Sequence, residues 1–176
     1  MKKLFLLSVL MVGFFVSGCG YSAHSSLPAQ YRTIFVENFK NKIDFSSGTT
    51  RNIYLPLLEV KVHNAVVSRY QFDGALRIAS KEKANLVLEG DLVSYDRQAL
   101  RYQENNEDVL EYRVTISVNL RMIDTAKKEV LWEESGFSGD ATYFISGASA
   151  SSEASAVEKA TTDLARRVVE RTIEDW

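Results

Sequence analysis

Seven apolar side chains fall on successive even positions between Leu110 and Met122: Leu110, Tyr112, Val114, Ile116, Val118, Leu120 and Met122. Glu111, Arg113, Thr115, Ser117, Asn119 and Arg121 lie between them. Strict alternation over that length predicts a strand at 110–123 with one dry face and one polar face. Residues 124–128 read as a turn, and 129–137 (EVLWEESGF) as the returning strand of a hairpin. Upstream, 84–95 (ANLVLEGDLVSY) predicts another strand, 76–79 a short edge strand, and 31–39 (YRTIFVENF) a first strand rich in β-branched and aromatic residues. The polar stretch 40–50 reads as a loop. So does 138–152, which is rich in Gly, Ser and Ala around Tyr143, Phe144 and Ile145.

Two segments switch to a helical period. Tyr54, Leu58, Val62, Ala65 and Val66 trace one side of a helix over about 53–71, and Pro56 sets its start close to Leu55, because proline is tolerated only in a first turn. Asp73-Gly74 ends it, with glycine free to adopt the left-handed C-cap conformation. Val157, Thr161, Leu164, Val168 and Thr172 trace the face of a second helix over about 152–173. Ser155 and Glu158 have capping-box spacing at its start, although any of several serines could serve as the N-cap. The order strand, helix, three or four strands, helix predicts an α+β two-layer sandwich. Two helices would pack on one face of a mixed four-stranded, possibly five-stranded, sheet. The first strand reaches its neighbour across a helix, so that pairing is expected to be parallel.

The hydrophobic pattern at the N-terminus is of another kind. Lys2 and Lys3 precede an apolar run from Leu4 to Val16, and small residues Ser17-Gly18 stand before Cys19. That is the layout of a secretory signal peptide, with an apolar run shorter than the roughly 20 residues a spanning helix needs. Val16-Ser17-Gly18-Cys19 resembles the bacterial lipobox, in which cleavage makes the cysteine the new N-terminus and its thiol carries a diacylglyceryl group. Cys19 is the sole cysteine, so the expected lipidation site is Cys19 and the mature chain has no internal disulfide. Two or three acyl chains anchor stably where one is marginal, at about 0.8 kcal/mol per buried methylene. In the enterobacterial sorting rule an Asp after the cysteine marks inner-membrane retention. Gly20 stands there, which points to the outer membrane. Residues 1–18 are then signal, 19–30 a lipidated tether, and 31–176 a single domain.

Charge adds little to this picture and excludes some functions. Loss of Lys2 and Lys3 with the signal changes the formal net charge from −2 to −4, and no basic stripe suggests nucleic acid as a partner. His24 sits in the tether and His63 on the first helix, with no HExxH or CxxC spacing, so no metal site is expected. No G-x-S-x-G elbow and no phosphate-cradling glycine loop occur. Glu104/Glu107/Asp108 and Glu133/Glu134 are carboxylate pairs among polar neighbours, which favours solvated faces over an acid–base pair. No enzyme is expected, and no cofactor beyond the lipid on Cys19. Arg97, Arg101 and Arg113 flank the long strand pair, interleaved with Tyr95, Tyr102 and Tyr112. Bidentate arginines suit phosphates. Exposed charges that keep a hairpin soluble are the plainer reading.

Several short motifs, in this order, resemble the LptE family of lipopolysaccharide-assembly lipoproteins. They are Gly18-Cys19-Gly20-Tyr21, Leu27-Pro28, Phe35-Val36-Glu37-Asn38-Phe39 and Ala84-Asn85-Leu86-Val87-Leu88-Glu89-Gly90, then Glu111-Tyr112-Arg113-Val114 and Asp124 followed by Val130-Leu131-Trp132. The resemblance implies a lipoprotein that plugs the lumen of the LptD outer-membrane β-barrel, assists its assembly and helps carry lipopolysaccharide to the outer leaflet. It implies lipopolysaccharide-phosphate contacts by basic residues near the loop ends of the sheet. Arg101 is the nearest match, with Arg97 and Arg113 behind it. A second basic contact would fall between the last strand and last helix, where 138–154 holds no Lys or Arg. An alternative is a lipoprotein of the curli-secretion pore or penicillin-binding-protein-activator type, which shares a lipobox and a small α+β domain. The short tether and the single long alternating strand favour the plug.

Overall fold

The structure, a computed structural model, describes residues 27–44, 55–104 and 108–174. The signal segment, Cys19, His24, Tyr54 and Glu107 lie outside the described residues. Among the described residues six strands and two helices follow one another: β1 (Thr33–Val36), β2 (Lys40–Asn41), α1 (Leu58–Asp73), β3 (Arg77–Ile78), β4 (Leu86–Tyr102), β5 (Val109–Asp124), β6 (Glu129–Phe144) and α2 (Glu153–Glu174). They form one mixed sheet in the order β3-β1-β4-β5-β6, with β2 also on β4. β1 runs parallel to both β3 and β4, as its connection through α1 requires, while β4-β5 and β5-β6 are antiparallel. The architecture is the expected α+β sandwich, with more strands than the four or five expected.

The core follows from the alternation. Val114, Ile116, Val118, Leu120 and Met122 are buried on one face of β5, level with Leu86, Leu88, Leu92 and Tyr95 of β4. Leu58, Val62, Val66 and Tyr70 of α1, spaced by four, cover this face together with Ala160, Leu164 and Val168 of α2. The two helices are pinned to each other by a buried hydroxyl pair, Tyr70 Oη and Thr172 Oγ1 at 2.7 Å. The Thr172 hydroxyl donates to the Val168 carbonyl, so its single proton is used and Tyr70 must be the donor.

Five boundaries differ from expectation, each for a physical reason. α1 starts at Leu58 because Leu57 sits at φ 59°, left-handed, and cannot continue a right-handed helix. Its end is as expected: Gly74, at φ 80°, donates its N–H to the Tyr70 carbonyl. The expected first strand, 31–39, is shortened to β1, and part of the expected loop 40–50 is a further strand, β2. The offset between the two segments and β4 changes by one residue there. Phe39, between the two segments, lies against Gly90, where an added Cβ would come 2.2 Å from the ring. β4 and β6 are longer than predicted, ending at Tyr102 and Phe144, so that β5 is paired along its length. The small residues of 138–144 belong to β6 because α2 lies on them: a Cβ on Gly139 would sit 2.3 Å from the Leu164 nitrogen. Finally, the N-cap of α2 is Ser152, whose hydroxyl accepts from the Ser155 N–H at 3.2 Å, and not Ser155.

Candidate functional site

Helices cover one face of the sheet and leave the other open. The register builds that open face as rungs across β4, β5 and β6. Glu89, Arg121 and Glu133 form one rung, and Arg121 holds both carboxylates, at 3.7 Å and 3.3 Å. Ser94, Ser117 and Ser138 form a second, and Asp96, Thr115 and Asp140 a third. Gln98, Arg113 and Thr142 follow, with Arg113 reaching Asp140 at 3.7 Å. Arg101, Glu111 and Phe144 make the rung at the tip. Lys42 on Asp91, at 2.7 Å, and Lys81 on Glu37, at 2.9 Å, close the near end. A shallow depression of about 150 Å³ lies beside them, lined among others by Lys40, Lys42, Asp91, Asn119 and Arg121. Apart from an apolar rung at the near end, made by Val87, Ile123 and Val130, the face is polar and its charges are largely neutralised from strand to strand. A surface of this kind packs against another polar wall without burying unpaired charge.

The three arginines singled out from sequence do not form one cluster. Arg101 and Arg113 belong to the open face. Arg101 reaches Glu111 at 3.3 Å, with its guanidinium 5.6 Å from the centre of the Phe144 ring, and its side chain is 61% exposed. Leu100, Tyr102 and Ile145 are also exposed near this end of the sheet, so the tip combines apolar side chains with one reachable cation. Arg97 faces the other way. It is paired with Glu153, the first residue of α2, at 2.5 Å, and it stacks over the Tyr112 ring at 5.0 Å.

The Arg97 site joins helix to sheet. Glu153 accepts from the Tyr95 hydroxyl at 2.7 Å and from the Tyr143 hydroxyl at 3.3 Å, and Tyr143 stacks on Tyr112 with ring centres 5.6 Å apart. Burial favours the protonated form of Glu153, but the hydrogen bonds from Tyr95 and Arg97 outweigh it and hold the carboxyl below its ordinary range. Burial, then the Glu153 carboxylate, push the Tyr95 hydroxyl up, so Tyr95 remains a donor. A carboxylate at the first turn of α2 also meets the positive end of the helix. Sequence reasoning missed Glu153, because 138–152 reads as a loop that gives no reason to place it over β4. The available signal was the set of tyrosines 95, 112 and 143, each on a strand now seen to be adjacent.

The candidate carboxylate pair Glu133/Glu134 is divided between the two faces, as neighbours on a strand must be. Glu133 binds Arg121, and Glu134 binds Arg171 of α2. His63 Nδ1 lies 3.2 Å from the Glu37 carbonyl. No group of His, Cys, Asp and Glu that could hold a metal occurs among the described residues.

Fold and surface together define a small two-layer α+β protein that keeps one sheet face open and polar. The chain belongs to the LptE lipopolysaccharide-assembly family, which matches it over residues 31–172. No curated protein matches the sequence. Solved structures share its fold. A protein from Xanthomonas campestris matches with a TM-score of 0.55 at 13% identity, covering 82% of this chain and 88% of that one. A hypothetical protein from Chlamydia trachomatis gives 0.54 at 14%, covering 80% and 95%. The minor lipoprotein of Acinetobacter baumannii gives 0.50 at 11%, covering 82% and 92%.

Proposed function

We propose that this protein is an outer-membrane lipoprotein, anchored through lipid on Cys19, that sits in the lumen of an LptD-like β-barrel. There it plugs the barrel, assists its assembly and helps lipopolysaccharide reach the outer leaflet. Membership of the lipopolysaccharide-assembly family over residues 31–172 carries this reading. The open face supports it: the interior of an outer-membrane barrel is polar, and the charge-neutralised rungs of β4, β5 and β6 suit that wall. In this reading the domain binds and positions and does no covalent chemistry.

Lipopolysaccharide phosphates would be met at the sheet tip. Arg101 is the best placed of the three arginines, exposed beside Leu100 and Tyr102, so that one patch offers a cation to a phosphate and apolar surface to acyl chains. Arg113 lies further along the same face. Arg97 would have to leave Glu153 to take part.

The test is recovery of tagged full-length protein from envelope membranes. The expected result is a large outer-membrane β-barrel in about one-to-one ratio. Recovery as a homo-oligomer with no barrel would refute the assignment.

A further inference from the structure

The two long edges of the sheet are treated differently. On β6 the register turns the main-chain groups of Ser138, Asp140, Thr142 and Phe144 outward, and on three of these four residues one group is bonded. Arg167 of α2 donates to the Ser138 carbonyl at 2.5 Å, and the Asp140 N–H donates to Asp163 of α2 at 3.4 Å. The Ser151 N–H donates to the Phe144 carbonyl at 2.9 Å. Such capping blunts an edge against adding another strand.

β4 is closed for only half its length. β1 pairs with it at Leu86 to Leu88 and β2 at Asp91 and Leu92, with the Lys42 N–H on the Leu92 carbonyl. A bulge follows between Leu92 and Ser94, after which Ser94, Asp96 and Gln98 turn their main-chain groups to β5. Tyr95, Arg97 and Ala99 therefore turn theirs outward. Among the described residues no strand, side chain or loop bonds to those groups. Three residues, spread over about 13 Å of strand, each present an unpaired N–H and C=O.

We propose that the outer edge of β4 at Tyr95, Arg97 and Ala99 takes one extended strand of the barrel partner by main-chain hydrogen bonding. The proposal rests on the functional reading above and names the surface through which it works. An open edge selects its ligand by backbone geometry, and that ligand is an extended polypeptide segment. A second copy of this chain is a poorer occupant on two counts. Head-to-tail addition would need a free β6 edge, and there Ser138, Asp140 and Phe144 are each already bonded to α2 or to the loop before it. Face-to-face pairing of two β4 edges that engages all three residues centres on Arg97 and sets it opposite its own copy, a like-charge contact that each Glu153 only partly offsets. The occupant is therefore a foreign strand. Its residues level with Asp96 and Gln98 would lie on the polar face, and those beyond Ala99 would meet exposed Leu100 and Tyr102.

The test uses the full-length chain, alone and in the complex it forms with the barrel, read by amide hydrogen exchange over 94–102 and by binding of two variants. Ala99→Pro removes one outward donor and no bond to β5, and Ala99→Ser keeps the donor. In the isolated chain the amides of Ser94, Asp96 and Gln98 should be protected and those of 95, 97 and 99 open. In the complex the latter three should slow at least tenfold. Ala99→Pro should weaken barrel binding about tenfold while melting within a few degrees of the parent, and Ala99→Ser should bind as the parent does. A bound barrel with those amides still open, or parental binding by Ala99→Pro, overturns the inference and leaves the plug intact. Failure of the unmodified chain to recover a barrel overturns the plug reading itself. Protection already present in the isolated chain also overturns the inference. If it grows with concentration, a second copy occupies the edge; if it does not, the chain closes the edge itself.

Discussion

Gly139→Ala places one methyl group where β6 and α2 meet main chain to main chain. The added Cβ would lie 2.3 Å from the Leu164 nitrogen and 2.6 Å from the Ala160 carbonyl oxygen, against about 3.4 Å for ordinary contact. Neither neighbour is a flexible side chain, so the helix as a whole must retreat by about 1 Å. Ala160, Leu164 and Val168 are fully buried at this seam, and each loses contact as the helix moves. Overpacking of a well-packed core costs about 1–3 kcal/mol. The lost backbone freedom of the unfolded chain returns about 0.5–1 kcal/mol, leaving a net loss of about 1–2 kcal/mol. For a domain of this size that lowers Tm by about 2–8 °C. Urea unfolding should show a lower midpoint at unchanged slope. Gly136→Ala is the contrast. Nothing lies within 4 Å of its added Cβ, but its φ of 69° imposes a left-handed strain of about 1 kcal/mol. If Gly139→Ala melts within about 1 °C of the parent, the claim that α2 rests on the backbone of β6 is wrong.

Glu153→Gln should cost about 1–2 kcal/mol, because it leaves the half-buried Arg97 without its carboxylate, tempered by the solvent that reaches both groups. Because the folded carboxyl is held below its ordinary value of 4.5, its contribution is complete above about pH 4.5 and fades as pH falls through the folded pKa. The difference in melting temperature between parent and variant should therefore be flat at neutral pH and narrow below pH 4.5; a constant difference down to pH 3 would contradict the ion pair. Ser152→Ala removes the N-cap of α2 and should cost about 1 kcal/mol in urea unfolding, whereas Ser155→Ala should cost less than half of that. Arg101→Gln should weaken lipopolysaccharide binding several-fold; it also takes the cation from Glu111, whose side chain is only 11% exposed, so melting should fall by a few degrees, and binding is compared well below the melting range of both proteins. Binding that matches the parent would return Arg101 to a solubilising role.

The parts of the fold legible in the sequence were those where a single period decides. β5 alternates because one face is dry, and both helices show their buried stripes because each has one covered side. The parallel setting of β1 followed from its crossover. What escaped was decided by tertiary contact. The 138–144 stretch carries the composition of a loop, but small residues are also what a strand needs where a helix sits on its backbone, and composition cannot separate the two. Leu57 in a left-handed conformation shows no local cause in its own residue type. The break between β1 and β2 comes with a shift of one residue in register on β4, and a ring lying over Gly90 more than fifty residues away leaves no mark in local pattern.

The arginines show why a site is harder to read than an element. Arg97 and Arg101 are four residues apart on one strand, and plain alternation would put them on the same face. The bulge between Ala99 and Arg101 reverses the phase, so Arg97 turns to α2 and Arg101 to the open face. One inserted residue thus separates a cation that fixes the helix from a cation that solvent can reach. The earlier bulge, between Leu92 and Ser94, works on the same strand in the same way, and it decides that Tyr95, Arg97 and Ala99 are the residues whose main chain looks outward. The two bulges divide the labour of β4. Before the first, the strand is a structural partner of β1 and β2. Between them its side chains lock α2 while its edge stays open. Past the second it carries the exposed tip. Val93 is the extra residue of the first bulge, since Leu92 lies opposite Val118 and Ser94 opposite Ser117. Deleting it should therefore leave Tyr95 opposite Ile116 and Arg97 opposite Val114, with both still on Glu153. Near-ultraviolet dichroism that still changes with Glu153→Gln is the expected outcome; loss of that response would mean that β4 pairs out of phase without its bulge and that the bulge, not the helix lock, sets the register.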